Sequence, residues 1–289
     1  MNEEIWFSNY CPHFSVHDAA LISRQNEKIT MAPKVLREHG FYKAALWLER
    51  NPEAWLNHLR AAAQAIKMAE RGEFKIILWG DPDFPPSLAH IAFPPSVLFV
   101  KGDVKRLQLK PVSIVGSRHP TDLGRLWVKD VVKDLVAHDI TIVSGGARGI
   151  DAEAHFAALV AGGKTVAFLP GGIDKPYPVT NSYVFERIEK NGALVSEFLP
   201  GTAVRAENFF RRNRLIAGVS SVVVIVEAGL RSGTIMTARK ARDENREVLV
   251  VPGPPKIASY AGSLELLAEG AGLARDAGDI IKSLIKEKF

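Results

Sequence analysis

The chain has 289 residues, 47% of them hydrophobic and 24% charged, with a formal net charge of +5. That is enough apolar material for one large α/β domain and a smaller one, yet no uninterrupted apolar run approaches the ~20 residues of a membrane helix. The single cysteine, Cys11, excludes an intrachain disulfide and a Cys-rich zinc site, and the acidic start MNEEIWFSNY is unlike a secretory signal, so the expected compartment is the cytoplasm.

Residues 1–72 read as a small helical domain. Segments 16–24, 41–50 and 52–70 have helical character, with Pro33 and Pro52 suited to first turns and Gly40 and Gly72 to C-terminal stops. Trp6, Trp47 and Trp55 offer flat faces for a base, although aromatics at helical spacing usually pack in a core. Residues 73–289 form the second expected domain. KIILWG and SVLFVKG read as strands flanking the turn DPDFPP. From Val112 the alternation is regular, with strands near 112–117, 141–145, 165–170, 193–197, 221–228 and 247–252 and helices between. The expected fold is therefore α/β, an extended Rossmann-like, doubly wound and mainly parallel sheet with a small N-terminal helical domain. The run SVVVIVEA is apolar on both faces, as a central parallel strand requires.

Four of these strands end in glycine-rich turns: VSIVGSRHPTDLG, TIVSGGARGID, TVAFLPGGID and VVVIVEAGLRSGT. A parallel sheet sends every strand's C-terminal end to one edge, so the turns converge on one crevice. Glycines admit a ligand close to the backbone, and helix-opening N–H groups favour phosphate. Residues 201–246 add nine Arg or Lys against four Asp or Glu, an excess equal to the net charge of the whole chain. A mononucleotide needs one or two cations and a nucleic-acid strand needs a row, although Arg239, Lys240, Arg242 and Arg246 also fit a solvated helix face.

The wording and order of these motifs resemble the DprA (Smf) family of bacterial DNA-processing proteins. The matching text is GSRHPTDLG at 116–124, SGGARGID at 144–151 with Ala154 and His155 following, GGIDKPYPVTN at 171–181, SEF at 196–198, FFRRNRLIAGVS at 209–220, VIVEA at 224–228, SGTIMTA at 232–238 and VPG at 251–253. The approach DPDFPPSLAHIAFPPSVLFVKGD at 81–103 matches as well. The resemblance implies a binder of single-stranded DNA that protects incoming DNA in natural transformation and loads the RecA recombinase, without catalysis. It also implies a homodimer formed through the later part of the Rossmann domain, whereas the helix there, TARKARDENR, is charged for an apolar contact face. The family frequently adds a C-terminal winged helix; the few residues after AGDII are too short for one, and none is expected.

The expected DNA-binding residues are Ser117, Arg118, Ser144, Gly145, Gly146, Gly149, Lys175, Arg212, Arg214 and Ser232. The resemblance makes Arg118 a phosphate contact, and Pro120 keeps its turn from relaxing into helix. Ser117, Ser144 and the three glycines are expected as N–H donors, and Ser232 as a helix cap or phosphate contact. Lys175 sits at the crevice mouth near Tyr177; some relatives carry a lysine inside YPxxN, where this chain has Val179 and Thr180. Among Arg211, Arg212 and Arg214, at least one should brace the site, since three arginines in four helical residues cannot all face one phosphate. Asp151 is expected to cap a helix or brace its loop, Asn181 to cap the next helix, and Glu227 to pair with Arg148, Arg212, Arg214 or backbone N–H groups. His155 reads as a packing histidine, with no Ser or Cys nucleophile beside it. No cofactor is expected, and no His and carboxylate cluster has metal-ligand spacing. The competing class is a LOG-type phosphoribohydrolase that cleaves a nucleoside monophosphate. Its PGG motif continues into Gly-Thr with a catalytic Glu, whereas here PGG runs into IDKPYP. An oxidoreductase is weaker, since no clean GxGxxG follows the first strand.

Overall fold

A computed structural model describes residues 52–95, 97–103, 105 and 111–286. The helices expected at 16–24 and 41–50, together with Cys11, Trp6 and Trp47, lie outside the described residues. The helix expected at 52–70 is α1 (Pro52–Glu70). It buries Ala62 and Ala65 in one cluster with Phe74, Phe99 and Phe185.

Among the described residues nine strands make one sheet: β1 (Lys75–Leu78), β2 (Val97–Gly102), β3 (Pro111–Gly116), β4 (Thr141–Ser144), β5 (Thr165–Phe168), β6 (Ala193–Ser196), β7 (Val222–Val226), β8 (Glu247–Val250) and β9 (Gly272–Leu273). Their order is β1-β2-β6-β5-β4-β3-β7-β8-β9. Pairings from β6 through β9 are parallel, and β2 joins both β1 and β6 antiparallel. The fold is thus α/β and Rossmann-like, with a mostly parallel sheet.

The strand text explains the layering. Val222–Val226 is buried at every position. Val222, Val224 and Val226 join Val112 and Ile114 in one cluster, while Val223 and Ile225 join Val115 in the other. Alternate side chains thus enter opposite layers, the reason a central parallel strand is apolar throughout. Hydroxyls inside the sheet find carbonyls: Ser113 Oγ donates to Ile216 O at 2.7 Å and Thr165 Oγ1 to Ile142 O at 2.9 Å. Left unpaired, each would carry a desolvation cost of about 1–3 kcal/mol.

After the short α2 (Pro86–Ala89), α3 (Asp122–Ala137), α4 (Ile150–Val160) and α5 (Ser182–Asn191) connect β3 to β4, β4 to β5 and β5 to β6. These steps run one way across the sheet, so right-handed crossovers place the three helices on one face. α6 (Ala206–Val219) returns the chain from β6 to β7, and α7 (Gly233–Asp243) leads on to β8. Leu215 and Ile216 of α6 and Ile235 and Ala238 of α7 pack in the cluster of Val223 and Ile225, on the opposite face. α8 (Ala261–Ala268) and α9 (Ala277–Lys286) follow. The winding reverses between β3 and β7, and a crevice opens at such a switch point beyond the strands' carboxyl ends.

Candidate nucleic-acid interface

The loop after β3 is anchored at both ends. Ser117 N donates to Val226 O at 3.2 Å, and Thr121 Oγ1 caps α3 by accepting from Gly124 N. Between these anchors Arg118 is exposed, its guanidinium carbon 5.2 Å from the Phe209 ring centroid. The loop after β4 is sewn to the first by Ile150 N, which donates to Ser117 O at 3.0 Å. Gly149 has φ +78°, and a Cβ there would strike Ser117 O and the Arg118 backbone, so only glycine lets the loops meet.

Arg212 fixes this edge from below. It is 3% exposed, and its Nη1 donates to Gly145 O at 2.5 Å and to Phe168 O at 2.7 Å, tying the ends of β4 and β5 together. Asp151 balances it, accepting from Gly145 N at 3.1 Å and Ala147 N at 3.4 Å. Burial pushes the Asp151 carboxyl above the usual carboxylate range, against the opposing pull of Arg212 and the backbone N–H groups. Burial also draws Arg212 down to about 10, with Asp151 opposing the shift and Arg118 adding to it. Arg214 pairs with Glu197 at 2.5 Å, both largely buried. The structure therefore places Arg212 and Arg214 beneath the crevice as braces.

Two other expected contacts also lie low. Ser144 is fully buried and its hydroxyl donates to Ile114 O, while the Gly145 N–H is taken by Asp151. The Gly146 and Gly149 N–H groups donate to none of the described residues. Ser117 Oγ accepts from His119 N, and Ser232 Oγ caps α7 by accepting from Ile235 N at 3.4 Å. Lys175 is exposed on the loop after β5.

One sequence expectation is corrected, and two that offered alternatives are resolved. Asn181 does not cap α5; its amide donates to Gly146 O at 3.0 Å and Ala147 O at 3.2 Å, clamping the glycine loop. Of the partners expected for Glu227, a backbone N–H is found, that of Thr121, and no arginine pairs with it among the described residues. Its buried carboxylate accepts from Thr121 N and Oγ1, Ser259 Oγ and Tyr260 Oη, because the strand order sets β7 beside β3. Of the cations that fitted either a phosphate row or a solvated helix face, Arg239 and Arg242 on α7 are exposed and pair with Glu269, and Arg246, past the end of α7, donates to Ser87 O and Gly218 O.

Two cavities lie along the edge. The smaller, about 210 Å³, is lined by Arg118, His119, Gly145, Ala147, Arg148, Tyr177, Pro178 and Phe209. Tyr177 and Phe209 meet edge to face, centroids 6.3 Å apart. The larger, about 650 Å³, lies at the switch point between α6 and α7 and shares Arg118, Ala147 and Phe209 with the smaller. Of their lining, Arg118, Arg148 and Arg231 have no carboxylate partner among the described residues, nor has Lys175 on the loop that carries Tyr177. The sequence reading passed over Phe209 and cast Arg148 as a partner for Glu227. A signal for Phe209 was present: an amphipathic helix cannot bury both residues of an FF pair next to RRNR.

His155 lies behind the edge, fully buried, with Nδ1 2.6 Å from Thr165 Oγ1. Thr165 donates onward to Ile142 O, so the ring is the donor to Thr165, and Nε2 has no hydrogen-bond partner among the described residues. Burial, with Arg212 adding, lowers its pKa to about 3 from 6.5. A base depressed in the folded state leaves stability intact above the unfolded value, and stability is lost as pH falls from 6.5 toward 3. Wild type is thus expected to lose up to about 1.4 kcal/mol per pH unit below about pH 6 from this ring, and His155→Gln to lose correspondingly less. Urea titrations across that range check it; parallel stability–pH curves for the two proteins would refute a neutral buried His155.

Comparison with known proteins places this geometry in context. Residues 75–285 match the family DNA recombination-mediator protein A. The protein Smf of Synechocystis sp. is 39% identical over 208 residues, covering 71% of this chain and 52% of that protein. Smf of Escherichia coli is 39% identical over 202 residues, covering 70% and 54%. The chain spans about half the length of these two relatives. Among solved structures, DNA processing protein A of Streptococcus pneumoniae superposes with a TM-score of 0.73 at 34% identity, covering 81% of this chain and 82% of that one. The Helicobacter pylori protein, described for its single-stranded DNA binding mode, superposes at 0.67 with 30% identity, covering 74% and 97%.

Proposed function

The chain belongs to the DNA recombination-mediator protein A family, and from that membership and the geometry of the sheet edge we propose that it binds single-stranded DNA there. The observation that carries this is the set of three cations, Arg118, Arg148 and Arg231, that line the two cavities without carboxylate partners among the described residues, with Lys175 exposed two residues before the cavity residue Tyr177. Phosphates take the guanidinium and ammonium groups, with the Gly146 and Gly149 N–H groups as further donors. Tyr177 and Phe209 supply aromatic faces for bases, which read any sequence because every base has a π-face. Ser117 and Ser232 lie at the rim. Arg212, Arg214, Ser144 and Gly145 serve the site by holding its loops.

The reading extends to binding without turnover. Two acids line the larger cavity, and both are occupied: four donors reach the Glu227 carboxylate, and Asp151 accepts from the Gly145 and Ala147 N–H groups. At the family level we place the protein in the cytoplasm, protecting incoming DNA during natural transformation and passing it to RecA, as a homodimer. A titration of a labelled oligonucleotide by anisotropy tests the core of the proposal. Single strand should bind more tightly than blunt duplex of the same length, with log K falling by ~0.7 per phosphate contact for each unit of log salt. Equal affinity for both would overturn the proposal, and excess free base from AMP would restore the phosphoribohydrolase.

A further inference from the structure

The larger cavity continues past Arg118 to Arg231, whose surroundings specify more than a phosphate contact. Arg231 is exposed on the turn between β7 and α7 and makes no ion pair among the described residues. Across the same cavity, Phe210 and Met236 are 44% and 40% exposed, large apolar groups facing a space of about 650 Å³. That volume falls within the ~300–1,000 Å³ of small-ligand sites. The buried ionisable groups of the cavity lining are all committed: Glu227 accepts from Thr121 and Tyr260, Asp151 from Gly145 N, and Arg212 donates to Gly145 O and Phe168 O. No cation inside is free for a phosphate, so an anion belongs on the exposed Arg231 and a flat apolar group inside.

We propose that this α6–α7 crevice takes a further nucleotide of the bound strand, its phosphate on Arg231 and its base against Phe210 and Met236. The inference rests on the single-strand reading above and extends the path beyond Arg118 to the far side of Phe209. Arg118 and Arg231 line one cavity, so a strand anchored at the first runs toward the second. The crevice then lengthens the binding site without adding base specificity, since neither an apolar wall nor a phosphate contact reads base edges.

Arg231→Gln should weaken oligothymidylate binding roughly tenfold and flatten the log K against log salt slope by ~0.7, the share of one phosphate. Arg231→Lys should restore the slope. Arg239→Gln, on the helix that follows Arg231 but paired with Glu269, should leave it unchanged. Phe210→Ala should weaken binding of oligothymidylate but not of an abasic strand of equal length. An unchanged slope in Arg231→Gln, with Arg118→Ala still weakening the strand, would overturn the crevice proposal alone. No effect of Arg118→Ala, or no preference for single strand, would instead remove the reading beneath it. If Arg231→Gln abolishes binding of thymidine monophosphate while strand affinity holds, the crevice is a free-nucleotide site and the proposal is wrong.

Discussion

Arg212→Ala is expected to cost about 3–5 kcal/mol of stability, since two buried carbonyls lose a charged donor and each such bond is worth about 1.5–3 kcal/mol. The change leaves the Gly145 and Phe168 carbonyls without their guanidinium donor and strands the Asp151 carboxyl in a buried site. It also opens space at Gly145, where a Cβ would meet the guanidinium. The Asp151 carboxyl already sits above its ordinary pKa through burial, and losing Arg212 removes an opposing influence. An acid raised in the folded state contributes stability that is present below its unfolded value of 3.8 and lost as pH rises through the folded value. The Arg212→Ala defect should therefore shrink as pH falls. Asp151→Ala in the same background should recover part of the loss, since the stranded acid accounts for much of it. A defect below about 1 kcal/mol would mean that Arg212 does not brace the edge.

The contrast between what the sequence disclosed and what it concealed follows from the range of each interaction. Strand text followed by glycine is local, and the strands expected at 112–117, 141–145 and 165–170 correspond to β3, β4 and β5 with ends shifted by one or two residues. Asp151 could also be read locally, because its partners Gly145 and Ala147 lie within one loop. Glu227 could not. Its main partner, Thr121, is 106 residues away and arrives only because β3 and β7 are neighbours. The same holds for the α7 arginines: counting charges registers Arg239 and Arg242 as free, while Glu269 reaches both from beyond the end of α8. Asn181 precedes a helix, the usual place for a cap, yet the folded loops bring the Gly146 and Ala147 carbonyls to its amide. A sequence shows which groups need partners; sheet order decides which partners come within reach.

That distinction sets the expected ranking of two arginines with equal charge. Arg118→Ala should weaken single-stranded DNA binding by about 1–3 kcal/mol, and Arg242→Ala by less than about 1 kcal/mol. Arg118 stands on a turn anchored by Ser117 and Thr121, with its guanidinium resting near the Phe209 ring, so little freedom is lost when a phosphate arrives. No carboxylate competes for it among the described residues. Arg242 lies on α7 and donates to Glu269 at 2.7 Å, so a phosphate would have to displace that carboxylate or share the guanidinium with it. Salt screens an exposed pair of this kind and water competes for its donors. The comparison holds when both variants melt as wild type does, since a shifted β3 loop would mimic a lost contact. Arg118 is exposed, so its removal should leave the packing of the loop intact. Equal binding by the two folded variants at one salt concentration would move the strand off the glycine-loop edge and onto the α7 face.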